Sequence, residues 1–457
     1  MKQLYRLYRP DEGEICFDNV PQQIHSPADA IRLGIGMIHQ HFMLVNSLTV
    51  AENVALGLKS SRGFVTDLDV VSKRIEELAE LYGLKVDPKA YIWQLSVGQQ
   101  QRVEIIKALY RGAALLILDE PTAVLTPQEV NDFFITLRHM ASDGHGLIFI
   151  SHKLQEVMDF TDRVTVLRDG RNVATVETKR TNKEELARLM VGRELKLRPD
   201  RPVVELGAVR LSLKNLSALG DRGTLALDDV SFEIYAGEIV GLAGVSGNGQ
   251  LELAETIAGL RPLNSGQISI DNENMSNKNP AQMIEAGLSF IPEERNRDGM
   301  IRDFSIAENL ILRENDKPPF VKGMFLDFKA MASHAQKMVE SFRVKTPSID
   351  TPIKNLSGGN AQKVILAREL ARRPKVLIAA QPTRGVDIGA TEYVRERLVA
   401  QRQEGTATLL ISEDLDEILA LCDRIAVLFH GKLMGIVKAG EATLESLGLM
   451  IAGEGQG

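Results

Sequence analysis

Residues 95–122 read LSVGQQQRVEIIKALYRGAALLILDEPT, and residues 356–383 read LSGGNAQKVILARELARRPKVLIAAQPT, two runs of equal length with one apolar rhythm. The likeness runs along the chain. Gly13-Glu14-Ile15 matches Gly266-Gln267-Ile268, and Gln40 matches Glu293, at an offset of 253. Farther on, Ser96 matches Ser357, Asp119 matches Ala380 and His152 matches Glu413, at an offset of 261. In both halves the serine stands 23 residues before the carboxylate position, and the next interval is 33. Chance does not keep two intervals, so the chain is a tandem duplication. The extra residues of the second half are expected between about 310 and 330, a stretch with Pro and Lys that reads as a loop.

With 457 residues, each half is long enough for its own core. The first domain is placed at 1–195, a linker (KLRPDRPVV) at 196–204, and the second domain at 205–453. Short apolar runs such as LIFISHK (147–153) and DRVTVLRDG (162–170) alternate with helical stretches, which predicts an α/β fold with a mostly parallel sheet in each half. The opening MKQLYRLYR reads as a helix without a cap.

A net charge of −7 gives no electrostatic reason to expect nucleic acid. No apolar run approaches the roughly 20 residues that cross a bilayer, and the amino terminus has no apolar stretch of signal-peptide type. Cys16 and Cys422 are too far apart in sequence to suggest a disulfide framework or a metal cluster, and a reducing, cytosolic protein is expected.

Four features carry chemistry. LLILDE (115–120) is a buried strand ending in two carboxylates; such a pair can organise Mg²⁺ through Asp119 and polarise an attacking water through Glu120, or simply cap the next helix. LSGGN (356–360) opens a helix, where Ser357, Gly358, Gly359 and Asn360 can present backbone N–H groups to a phosphate, or form an ordinary Ser-capped start. LSVGQ is its weaker twin, keeping Ser96 and Gly98 but placing Val97 opposite Gly358. GLAGVSGNGQ (241–250) follows a strand and precedes a helix; Gly244, Gly247 and Gly249 can form an anion cradle, although Gln250 and Leu251 stand where a phosphate loop has Lys and Ser/Thr. A glycine turn with no ligand reads equally well. Gln40 and His152 are unremarkable alone, and a histidine at a strand end is commonly structural.

In this order, twice repeated, the motifs resemble those of the nucleotide-binding subunit of ATP-binding-cassette transporters, over nearly the whole chain. LSGGN and LSVGQ look like the family signature, LLILDEPT like its Walker B strand, Gln40 like its Q-loop and His152 like its switch histidine. PEERNRDGMI, AAQPTRGVD and ISEDLDEILALCDRIAV look most like the nucleoside-importer branch of the fused sugar and nucleoside subunits. The resemblance implies two P-loop NTPase domains, each with a helical subdomain, and ATP and Mg²⁺ as cofactors. It implies one site that draws on Gln40, Asp119, Glu120 and His152, with Gln40 and Asp119 at the metal, together with Ser357–Asn360. The other site, with the Gly244–Leu251 loop, Glu293, Ala380, Gln381, Glu413 and the Ser96 signature, would not hydrolyse. Matching Met1 to Ala254 puts the lysine position four residues before Met1, so an N-terminally truncated form of the family, hydrolysing ATP negligibly as written, is expected.

The same resemblance implies two membrane permease subunits and an external substrate-binding protein as partners, and a place on the cytoplasmic face of the membrane. A soluble tandem ATPase acting on ribosomes or DNA, and a non-hydrolysing regulatory protein, are the alternatives.

Overall fold

The computed structural model describes residues 1–39, 42–58, 67–122, 125, 127–151, 153–168, 170–194, 199–244 and 247–453. They divide into two compact units, Met1–Met190 and Val191–Gly457.

In the first unit, β1 (Ile35–Ile38), β2 (Leu115–Asp119) and β3 (Gly146–Ile150) form a parallel sheet in that order. β4 (Arg163–Arg168) and β5 (Arg171–Glu177) form a separate antiparallel hairpin. Helix α1 (Val97–Tyr110) packs its apolar side, with Val103, Ile105 and Ile106 fully buried, into the same core as Leu116 and Leu118 of β2.

The second unit contains β6 (Ile239–Ala243), β7 (Leu288–Ile291), β8 (Val376–Ala380), β9 (Ala407–Ile411), β10 (Arg424–Phe429) and β11 (Lys432–Lys438), hydrogen-bonded in the order β7-β8-β9-β6-β10-β11. Only the last pair is antiparallel. Every residue of β6, β7, β8 and β9 is buried, as an unbroken apolar strand requires when both faces are covered. Successive side chains go to opposite cores. Val240, Leu242, Ile378 and Leu409 join the antiparallel strands Val209–Leu219 and Leu225–Tyr235 and helix α2 (Gln250–Ile257). Ile239, Leu377 and Leu410 join helices α3 (Gly358–Leu370) and α4 (Ile388–Gln403).

By sequence offset β1 to β5 match β7 to β11, while β6, which joins β9 to β10, has no match among the described residues of the first unit. The five matched strands of the first unit therefore form two sheets, beside a separate short hairpin of Ile15–Phe17 with Val20–Gln22, and β3 is partly exposed along its length where β9 is buried.

Helix caps place the length difference between the halves more finely than the sequence expectation. The cap pairs Thr49/Ser305, Asp67/Asp327 and Ser96/Ser357 sit at offsets of 256, 260 and 261. Three extra residues therefore precede Ser305, outside the expected 310–330. The stretch read as a loop contains a short hairpin, Val321–Lys322 with Phe325–Leu326, and the first half's residues 59–66 lie outside the described residues. The opening MKQLYRLYR is a run of turns rather than a helix: Tyr5 N–H bonds to Met1 O and Arg6 N–H to Gln3 O, and Arg6 at φ 58° cannot continue a right-handed turn.

Of the linker, residues 199–204 are described and are tied to the second unit. Asp423 accepts from Arg201 (2.7 Å), from Arg402 of α4 (2.9 and 3.0 Å) and from the backbone N–H of Ile239 at the start of β6 (2.9 Å), and Arg402 also donates to Pro202 O (2.8 Å). Asp423→Ala would leave two guanidinium groups and a strand N–H without their shared acceptor. A loss of about 2–3 kcal/mol in urea unfolding is expected, against near-neutral effects for exposed carboxylates such as Glu441.

Candidate functional site

The two strand ends can be superposed bond for bond. After Asp119 the chain turns at Glu120 (φ 47°), whose N–H bonds to Ile150 O at 2.9 Å; after Ala380 it turns at Gln381 (φ 46°), whose N–H bonds to Ile411 O at 2.8 Å. A non-glycine residue in the left-handed region is costly, and its retention in both halves marks a turn that the surrounding bonds over-determine. Identical backbone thus presents Asp-Glu in one half and Ala-Gln in the other.

Asp119 is half-buried at the end of β2. Burial pushes its carboxyl above the ordinary aspartate range, the neighbouring Glu120 charge adds to the rise, and His39, Lys2 and the amino terminus oppose it. A carboxylate so placed is a natural partner for a hard cation. Mg²⁺ takes one or two protein carboxylates and completes its shell with phosphate oxygens and water, and the donor set fits that pattern. Among the described residues no group of three or more His, Cys, Asp or Glu gathers to enclose a metal by itself. Gln40 and His152, expected at the metal and at the γ-phosphate, lie outside the described residues.

A buried carboxylate behind each strand end was not singled out from the sequence. Glu156 Oε2 accepts from Thr122 Oγ1 (2.6 Å) and Ser151 Oγ (3.2 Å), joining the segment that carries Glu120 to the segment that leads to residue 152. Lys153 Nζ balances it at 3.2 Å and donates to Thr122 O at 3.1 Å. In the second half Glu417, fully buried, accepts from Thr383 (3.0 Å) and Ser412 (2.9 Å) and pairs with Arg395 (3.2 Å). Lys153 has become Asp414, and the cation arrives from α4 instead. The sequence signal was present in the matched pairs Thr122/Thr383, Ser151/Ser412 and Glu156/Glu417.

Both signature serines act as helix caps. Ser96 Oγ accepts from Gln99 N–H (3.3 Å), and Ser357 Oγ accepts from the Asn360 N–H (3.4 Å) and Nδ2 (2.9 Å). The free N–H groups at the starts of α1 and α3 are the anion-binding feature of such turns. The Gly98 turn differs: a Cβ there would run into Glu129 Oε1, so a carboxylate crowds the first half's signature where the second has Ala390. The structure places Gly244, Gly247 and Gly249 between β6 and α2 at positive φ, with residues 245 and 246 outside the described set. A Cβ at Gly249 would lie 2.6 Å from Ala226 O, so only glycine allows that close approach. Gln250, in the lysine position, is buried at the first turn of α2. In the same unit Glu293, in the Q-loop position, is ion-paired to Arg384, three residues past Gln381.

Comparison with known proteins supplies the context. A family model described as ABC transporter matches residues 1–123 and 227–384. The chain is 47% identical to a glucose import ATP-binding protein of Haloferax volcanii, covering 100% of this chain and 88% of that protein. It is 45% identical to a nucleoside import ATP-binding protein of Lactococcus lactis, covering 99% and 90%. It is 43% identical to a guanosine import ATP-binding protein of Bacillus subtilis, covering 100% and 89%.

The raised carboxyl of Asp119 has a measurable consequence. A folded-state value above the unfolded one means a penalty that is absent below about pH 4 and grows as pH rises through the folded value. Asp119→Asn is therefore expected to melt higher than the parent at pH 7, with the difference shrinking towards pH 4. Melting curves across that range test it, and a constant or inverted difference contradicts the assigned environment.

Proposed function

Because the chain belongs to the ATP-binding-cassette transporter family, as a subunit with two fused ATPase domains, we propose that it couples ATP binding and hydrolysis to the uptake of nucleosides or simple sugars, with hydrolysis confined to one asymmetric site. The observation that carries the asymmetry is the strand end: one backbone turn, retained in both halves, with Asp119-Glu120 in the first and Ala380-Gln381 in the second.

In this reading Glu120 is the general base that takes a proton from the attacking water. Asp119 holds Mg²⁺, assisted by Gln40, and His152 contacts the γ-phosphate. When bound, Mg²⁺ supplies charge neutralisation at the β- and γ-phosphates. Ser357, Gly358, Gly359 and Asn360 contribute backbone and side-chain donors to the triphosphate. The second half's Gly244–Gly249 loop and the Ser96–Gly98 turn at most hold nucleotide without cleaving it. Gln381 has no proton-accepting charge, and Ala380 has no oxygen for a metal.

The importer role implies two permease subunits, an external binding protein reached through them, and a position on the cytoplasmic face of the membrane. No described helix is long and apolar enough to cross a membrane. The similar proteins are named for glucose, nucleoside and guanosine import, which supports a small sugar-bearing solute as cargo. Glu120→Gln in the intact transporter is expected to lower kcat by about 10²-fold or more, while Gln381→Glu leaves it unchanged. Turnover near the parent value in Glu120→Gln would sink the assignment.

A further inference from the structure

Within the second unit an arginine and the signature glycine meet in an arrangement for which the first half's sequence lacks the residues. Asn53 clasps Val45 through its N–H (2.8 Å) and C=O (3.1 Å), and Asn309 clasps Ile301 in the same way (2.9 and 3.0 Å). Between the Gln40/Glu293 match and these clasps the second half is thus three residues longer, the offset rising from 253 to 256. The length is taken up in a segment that forms a π-helical turn, Arg295–Gly299. Such turns are rare and concentrate at functional sites.

Arg295 opens this turn. Its guanidinium donates from Nη1 to Arg384 O (2.8 Å) and from Nη2 to Gly385 O (2.7 Å), gripping the loop that follows the degenerate strand end. The same group lies against the signature: a Cβ on Gly358 would meet Nη2 at 2.7 Å and Gly385 O at 2.9 Å. Arg295, Arg302, Lys354 and Gly358 line one cleft of about 240 Å³. In the first half the shorter segment His41-Phe42-Met43-Leu44 has no arginine, Ala123 stands opposite Arg384, and Val97 stands opposite Gly358. In sequence, the three inserted residues, the arginine and the first signature glycine occur together in one half and are missing together from the other.

We propose that Arg295 is a positioning residue for the working signature, holding the Ser357–Asn360 turn against the 384–385 loop in the form that receives nucleotide. The proposal rests on the reading of Ser357–Asn360 as an ATP contact. A planar fork can bond two successive carbonyls while lying against a glycine; a lysine ammonium cannot do both. Gly358 is the complement, since any side chain there displaces the guanidinium. Through Arg384, which pairs with Glu293, the same grip ties the signature to the Q-loop position of its own unit.

Hydrogen exchange on Arg295→Ala, Arg295→Lys and Gly358→Ala in the full chain tests this, together with ATPase assays of the same variants in a transporter whose parent turns ATP over. Arg295→Ala should speed exchange at the Asn360 and Ala361 amides, which bond to Ser357. It should lower kcat about tenfold with KM for ATP within about twofold and little change in Tm, and Arg295→Lys should behave alike. Should Arg295→Ala unfold, Gly358→Ala decides, because it leaves both arginine bonds to be displaced rather than deleted. The two substitutions should be coupled: Gly358→Ala costs less in the Arg295→Ala background, by about threefold or more. Unchanged exchange at Asn360 and Ala361, or strictly additive effects, overturns the proposal. A fully active Glu120→Gln removes the hydrolytic reading but leaves the exchange result to judge Arg295.

Discussion

The bonds that Glu156 and Glu417 make behind the two strand ends are what the rest of each site is mounted on. Each carboxylate takes hydroxyl bonds from two loops that are separate in sequence, the one after the strand end and the one after the next strand. Burying a carboxylate is costly unless it is satisfied, and here the satisfaction comes from the groups whose spacing must be fixed. Burial raises the Glu417 carboxyl above its ordinary range, and Arg395 together with the two hydroxyls opposes that rise. The device does not depend on the acidic pair, since the half with Ala380 and Gln381 keeps it. It makes the strand end a stable mount on which the acidic pair can be present or absent.

Much of this was legible in the sequence. The duplication, the apolar strands, the capped starts of α1 and α3 and the asymmetric strand ends all depend on local pattern, and the structure has them. Glu156 was not legible, because one glutamate seven residues into ISHKLQEV looks like any helix residue until the two hydroxyls are seen to converge on it. The split of the first unit's five matched strands into two sheets was also hidden: β3 and β4 each have strand composition, but pairing is a long-range property, decided here by whether a strand like β6 lies between them. The helical reading of MKQLYRLYR failed for a related reason. Its apolar spacing suits a helix, yet Leu7 N–H bonds to Lys2 O and Arg6 adopts positive φ, so turn bonds won over periodicity.

The electrostatics of the two halves differ at the strand ends. In the first, Asp119 is held half-buried beside Glu120, an arrangement that raises its carboxyl and is unfavourable to folding at neutral pH. Such stored cost is ordinary where a charge awaits a ligand. In the second, the corresponding position is a buried alanine, and the Q-loop position is a glutamate neutralised within the unit by Arg384. Burial and the nearby Glu413 and Glu294 still push Glu293 upwards, so the arginine does not fully offset them.

That internal pair changes what the second half can be. A site that awaits a metal needs unpaired negative charge, and the Glu293–Arg384 pair removes it. The carbonyl side of the same loop is then available for another task, because Arg384 O and Gly385 O are the carbonyls that Arg295 grips beside Gly358. The Glu293–Arg384 pair and the Arg295 bonds therefore act on the same 384–385 segment, one through its side chain and the other through its carbonyls. Restoring an acid at 380 alone would place a buried charge next to a loop already organised around its own cation.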